Sequence, residues 1–291
     1  MTRRPTSSRF GPVWLVVIGI VSVQVGAAVA KGLFDEISPT SMVWLRLVTS
    51  ALVLAAIARP QLRGRSRHDW LAVLGFGVSL GVMNWAIYQS FARIPLGIAV
   101  TIEFVGPLTL AVLGSRRPRD LVWVLLAGLG VALLGFERSD LDPVGVGFAL
   151  LAGAAWAAYI LMSASTGRRW PGLDGLAVAS VVATALLAVP AALSGGTSLL
   201  EPRVLALGAL VGLLSSVIPY SCELVALRSL RPAVFGILMS LEPAAAALAA
   251  IVVLRELLAP LQWLAIGCVV AASVGATRSG AAPPHAEPAP D

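Results

Sequence analysis

Charge is scarce in this chain. Only 12% of its 291 residues are charged against 58% hydrophobic, and the mean hydropathy is +0.88. That balance excludes an ordinary soluble globular protein, and apolar runs of about twenty residues recur throughout, as in polytopic membrane proteins. Cysteine is nearly absent. Cys222 and Cys268 both fall inside apolar runs without CxxC or Cys/His spacing, so each is read as an inert thiol. The two histidines, His68 and His285, fall in a loop and in the C-terminal tail, which leaves no histidine-based metal site or proton relay within the membrane. Missing motifs narrow the classes further. No GxxxxGK[ST] loop is present, so nothing points to ATP as the energy source; no HExxH, GxSxG or paired-Asp motif supplies an intramembrane enzyme. No repeated filter loop suggests a channel, and no cofactor is expected. The net charge of +6 comes from arginines in short clusters between apolar runs, which marks membrane loops, with the lipid bilayer rather than nucleic acid as the partner.

What is present divides into ten apolar segments, near 12–30, 40–58, 70–91, 95–114, 120–136, 143–163, 174–194, 203–222, 232–253 and 260–277. The first, ending Ala28-Val29-Ala30, resembles a signal peptide with a cleavage site. Its length and the unmatched nine spans its removal would leave keep it as the first span. Positive charge is unequal between alternate loops: fifteen Arg on the side of the N-terminus, residues 59–67, 116–119, 168–169, 228–231 and Arg278, against Lys31, Arg93, Arg138, Arg203 and Arg255 on the other. By the positive-inside rule both termini are cytoplasmic. Trp70 and Trp170 fall at cytoplasmic ends and are assigned to an interfacial belt. The Pro/Ala-rich stretch 278–291 is expected to be a disordered cytoplasmic tail.

Two stretches echo one another, RIPLGIAVTIEFVGP at 93–107 and RPAVFGILMSLEP at 231–243. Gly97 and Gly236 are 139 residues apart, as are Glu103 and Glu242. Carboxylates in the middle of apolar runs are costly and are functional candidates by default. The echo extends to Trp123 and Trp263 in the following spans and to Pro12 and Pro143, which open the first span of each half, with Gln24 and Trp156 at comparable depths. Five spans is an odd number, so the second copy enters the membrane from the opposite side. The expected fold is an all-α membrane protein of ten transmembrane helices arranged as two inverted five-helix repeats, 12–136 and 143–277.

Further polar groups lie within the apolar runs. Arg46 sits about six residues into the second span, either snorkelling to the interface or facing a cavity, where a substrate carboxylate or Glu103 would be its partner. Asn84 and Tyr88 are four residues apart on one face of the third span; its counterpart carries Ser215, Ser216, Tyr220 and Glu223. Hydrogen bonding between helices is the alternative for the amides and hydroxyls, and Glu223, five residues before Arg228, is placed at the interface, with a role in the pathway as its alternative. Pro95 and Pro107 flank Glu103 while Pro232 and Pro243 flank Glu242, which implies loosened helices that either form a midplane binding site or are merely braced by the carboxylates. The candidate substrate and proton pathway is therefore Glu103, Glu242, Arg46, Asn84, Tyr88, Gln24, Trp156 and Tyr220.

The stretches LRLVTSALVL at 45–54, the long segment 226–267 and AASVGA at 271–276 resemble the EamA-type exporters of the drug/metabolite transporter superfamily. RIPLGIAVTIEFVGPL with SRRPRDLVWVLLAGLGVALLG is similar to the bacterial threonine/homoserine exporters. The resemblance implies export of small amino acids across the bacterial inner membrane, in exchange for protons. Export of another metabolite or a drug is the alternative, and a homodimer is left open. In the family pattern Glu and Pro are adjacent, as in Glu242-Pro243, whereas Glu103 and Pro107 are separated; the acidic Glu256 has Arg117 at the equivalent position of the first half.

Overall fold

The computed structural model describes residues 11–113, 121–136, 141–227, 230 and 232–278. The arginines at positions 3, 4, 9, 116, 117, 119, 138, 228 and 231 and the tail expected to be disordered beyond Arg278 lie outside them. Among the described residues every regular element is helical: α1 (Gly11–Lys31), α2 (Pro39–Ala58), α3 (Arg67–Phe91), α4 (Leu96–Glu103), α5 (Val105–Leu113), α6 (Leu121–Phe136), α7 (Pro143–Gly167), α8 (Asp174–Gly195), α9 (Pro202–Gly212), α10 (Ile218–Leu227), α11 (Pro232–Met239), α12 (Glu242–Ala249) and α13 (Pro260–Arg278). Nine described stretches, with α4–α5, α9–α10 and α11–α12 each taken together, are long and apolar enough to cross a bilayer. These nine are one fewer than the ten expected; α6, at the place of the fifth expected span, has a shorter apolar part, Leu121–Leu133. With 16 residues α6 rises about 24 Å, less than the hydrocarbon thickness.

Local chemistry sets the ends. Pro39, Pro143 and Pro202 stand in the first turn of α2, α7 and α9, where no backbone N–H is needed. Ser38 and Asp142 cap α2 and α7 through their side-chain oxygens, and Ser66 with Asp69 closes a capping box on α3. Within the bundle small residues let backbones approach. A Cβ on Gly97 would come within 2.9 Å of Ala247 Cα, and one on Gly77 within 2.8 Å of the Ala179 carbonyl, so α4 crosses α12, and α3 crosses α8, at glycine.

The helices pair across the two halves of the chain. α3 packs on α7 and α1 on α10; α3 on α8 and α2 on α9; α4 and α5 on α7, and α11 and α12 on α1; α2 packs on α8, α6 on α13 and α4 on α12. The two ends of the bundle are tied differently. On the end that carries the loops 32–38, 92–95 and 255–259, the Lys31 ammonium lies 2.5 Å from a Glu256 carboxylate oxygen and donates to the Ile94 carbonyl. The other Glu256 oxygen accepts from the Leu96 N–H, so three loops meet on one ion pair. On the opposite end Arg65 stacks over Trp170 and lies 3.8 Å from Asp174, while Trp170 donates to the Asp69 carbonyl. Trp170 is buried, which corrects its assignment to an interfacial belt: its indole locks the 59–66 loop region to the α7–α8 loop.

Candidate functional site

Glycine and proline place the two central carboxylates at helix breaks. Pro107 has no N–H to donate to the Glu103 carbonyl, the helix turns at Phe104, and Glu103 becomes the last residue of α4. The freed carbonyl meets Gly153 of α7, where a Cβ would come within 2.6 Å of it. In the second half the turn falls at Ser240 and Leu241, two to three positions before Pro243, the equivalent of Phe104, so Glu242 is the first residue of α12. The preceding residues still match: Thr101 donates to the Gly97 carbonyl and Ser240 to the Gly236 carbonyl, again 139 residues apart. Equivalent glutamates thus stand at opposite ends of half-helices, Glu103 beside carbonyls that favour a cation and Glu242 beside N–H groups that favour an anion.

Both carboxylates face a cavity of about 400 Å³ between the halves. Its lining runs from Gln24, Arg46 and Glu103 to Gly172 in the α7–α8 loop, so it extends to the Trp170 end of the bundle and away from Lys31 and Glu256. Asn84, Trp156, Tyr220 and Glu242 line it as well. Tyr88 does not. It is wholly buried behind the cavity wall, packed on Phe34 and Phe91 with its ring 5.7 Å from the Arg46 guanidinium carbon, and its hydroxyl has no partner. Glu223, placed at the interface by its distance in sequence from Arg228, instead lines the cavity. The signal that could have found it is its position three residues after Tyr220, on the same helix face. Among the described residues neither Glu103, Glu223 nor Glu242 has an ion pair or hydrogen-bond partner, and Arg46 is the one cation in the lining.

Arg46 neither snorkels nor pairs with Glu103. Its Nε donates to Ser216 Oγ at 3.2 Å and its Nη2 to the Ser215 carbonyl at 3.0 Å. These acceptors belong to a π-turn, Leu213–Val217, between α9 and α10, in which the Ile218 N–H reaches the Leu213 carbonyl five residues back. The next carbonyl, Leu214, takes the Ser22 hydroxyl of α1 instead. The one after that, Ser215, would be served in an α-helix by residue 219, but Pro219 has no N–H, and Arg46 takes its place.

The sequence profile of the EamA-like transporter family matches residues 10–136 and, a second time, 143–278. The chain belongs to the EamA-like transporter family. Membership makes it a multi-pass membrane transporter, in keeping with its apolar helices. Among curated members of this EamA-like group, the threonine/homoserine exporter RhtA of Escherichia coli K12 is 42% identical over 280 residues, covering 94% of this chain and 95% of that protein. RhtA of Salmonella typhimurium LT2 is 41% identical over the same shares of each chain. The uncharacterized transporter YwfM of Bacillus subtilis is 33% identical over 57% of each. A solved crystal structure of a protein 19% identical covers 93% of this chain and 98% of its own with a TM-score of 0.58, a likeness of fold.

Proposed function

We propose that the protein is a proton-coupled exporter of small amino acids, threonine and homoserine among them, working by alternating access. The observation that carries this reading is the cavity: one guanidinium and three unpartnered carboxylates in a single membrane-embedded space. A zwitterionic amino acid brings the complementary pair, its carboxylate to Arg46 and its ammonium to a glutamate. Three anions beside one cation are costly in a low-dielectric bundle, so protons or a substrate ammonium must balance them. Competition between the two for Glu103, with Glu242 and Glu223 alongside, gives exchange when access alternates between sides. Threonine/homoserine exporters of the length and identity given above support the substrate class.

Two inverted five-helix repeats, 12–136 and 143–277, supply the moving parts in this proposal. The helix pairing supports it, because exchanging the halves maps α1 on α10 to α7 on α3, and α2 on α9 to α8 on α3, while α2 on α8 and α6 on α13 map onto themselves. In the bacterial inner membrane, with both termini cytoplasmic, the Trp170 end faces the cytoplasm and the cavity is open to the compartment from which substrate leaves. Everted vesicles containing the protein should take up labelled threonine and homoserine when a proton gradient is imposed, with saturation and counterflow. Uptake of a dye but of neither amino acid would replace this substrate class with drug export; flux that neither saturates nor counterflows would replace the transporter with a channel.

A further inference from the structure

We infer that Ser216 is a positioning residue for substrate recognition: with the π-turn at 213–217 and Pro219, it aims the end-on edge of Arg46 into the cavity as a subsite for the carboxylate of an α-amino acid. The inference rests on the amino-acid export reading and deepens it. A guanidinium has two forks of parallel N–H groups, one formed by Nε and Nη2 and the other by Nη1 and Nη2. The first is occupied by Ser216 Oγ and the Ser215 carbonyl. The second has no protein acceptor among the described residues, and Arg46 lines the cavity. That leaves a planar, bidentate donor pair whose match is a carboxylate.

Three features of the chain produce this arrangement. The π-turn and Pro219 strip two successive carbonyls of their helical donors, and α1 and α2 each send a side chain to one of them. The Tyr88 ring backs the guanidinium on a third side. None of this exists at the equivalent of the π-turn in the first half, where residues 74–78 continue as regular α-helix within α3. The subsite is therefore single, although the fold has two halves. Ser216 touches no cavity ligand itself, since it is buried behind the guanidinium and absent from the lining; it acts through Arg46.

The test uses initial rates of labelled L-threonine uptake into everted vesicles, with L-threoninol, which has an alcohol where threonine has a carboxylate, as competitor. Immunoblots fix the amount of protein. Wild type should discriminate strongly between the two compounds. Ser216→Ala should raise KM for threonine about tenfold with kcat little changed, the scale of one charge-assisted hydrogen bond, and should shrink that discrimination. Ser216→Thr should restore both. Pro219→Ala, which returns an N–H to compete for the Ser215 carbonyl, should shift KM in the same direction as Ser216→Ala. A direct titration of purified protein with L-threonine, read by tryptophan fluorescence, gives the same comparison when a variant moves too little substrate to measure. Unchanged KM and unchanged discrimination in Ser216→Ala would overturn the inference, as would a loss confined to kcat. If wild type itself moves and binds no threonine, the export reading falls as well, which separates the two failures.

Discussion

Glu103 and Glu242 show how much a shift of two or three residues in a helix break changes a side chain. They are equivalent by spacing and both face the cavity, yet one ends a half-helix and the other begins one. Removing the proton-binding capacity of each should therefore have unequal effects. Glu103→Gln keeps shape and hydrogen bonding but can neither take nor release a proton, so gradient-driven export should collapse and its dependence on pH flatten, as measured by threonine uptake across a series of vesicle pH values. Unchanged export against a gradient with the same pH profile would move the proton site to Glu242 or Glu223. Arg46→Lys keeps the charge but loses the fork, so transport should fall while the protein remains in the membrane. Wild-type kinetics in that variant would deprive Arg46 of any recognition role. Both carboxylates and Arg46 were legible in the sequence because an ionisable group inside an apolar run stands out. Tyr88 misled because helical spacing gives the face of its own helix but not which neighbour covers it, and Glu223 was misplaced because counting back from Arg228 ignores how far the cavity reaches along α10.

At the level of elements, what decides the breaks is proline together with the surface the broken helix meets. Gly106 and Gly153 form the closest crossing described: a Cβ on Gly106 would fall 2.0 Å from the Gly153 carbonyl oxygen, which is backbone and has nowhere to turn. Gly106→Ala should accordingly push α5 off α7 and destabilise the protein by about 1–3 kcal/mol, seen as a lower unfolding temperature in detergent. A thermal midpoint equal to that of wild type would show that the crossing can relax. Gly128, with open space around it, is the matched control, and Gly128→Ala should leave the midpoint nearly unchanged. Helix positions follow readily from apolar runs, and the flanking prolines announce that the fourth and ninth expected spans, 95–114 and 232–253, are loosened. The unequal position of the two turns followed only in outline from Glu103 and Pro107 being apart. The π-turn at 213–217 had no signature beyond Pro219, since a π-turn adds a backbone carbonyl to the surface without changing the apolar pattern.

For the whole molecule, the orientation drawn from loop charge has a direct check. Reporter fusions at Asp142 and at Arg169 should report opposite sides of the membrane, and finding both on one side would defeat the inverted arrangement. The two ends of the bundle are also unlike in chemistry, because the Lys31–Glu256 pair has Trp170 and Arg117 at the equivalent positions of the other half, and those two cannot form a salt bridge with each other. Lys31 has a further property that follows from composition: it is the sole lysine of the chain and so its sole side-chain amine. An acylating reagent that does not cross membranes has one side-chain target, and that target is held by the Glu256 carboxylate and the Ile94 carbonyl while the end of the bundle is shut. The rate at which Lys31 becomes acylated, followed by peptide mass, is then a clock for the opening of that end, already built into the native sequence and readable without introducing a single cysteine.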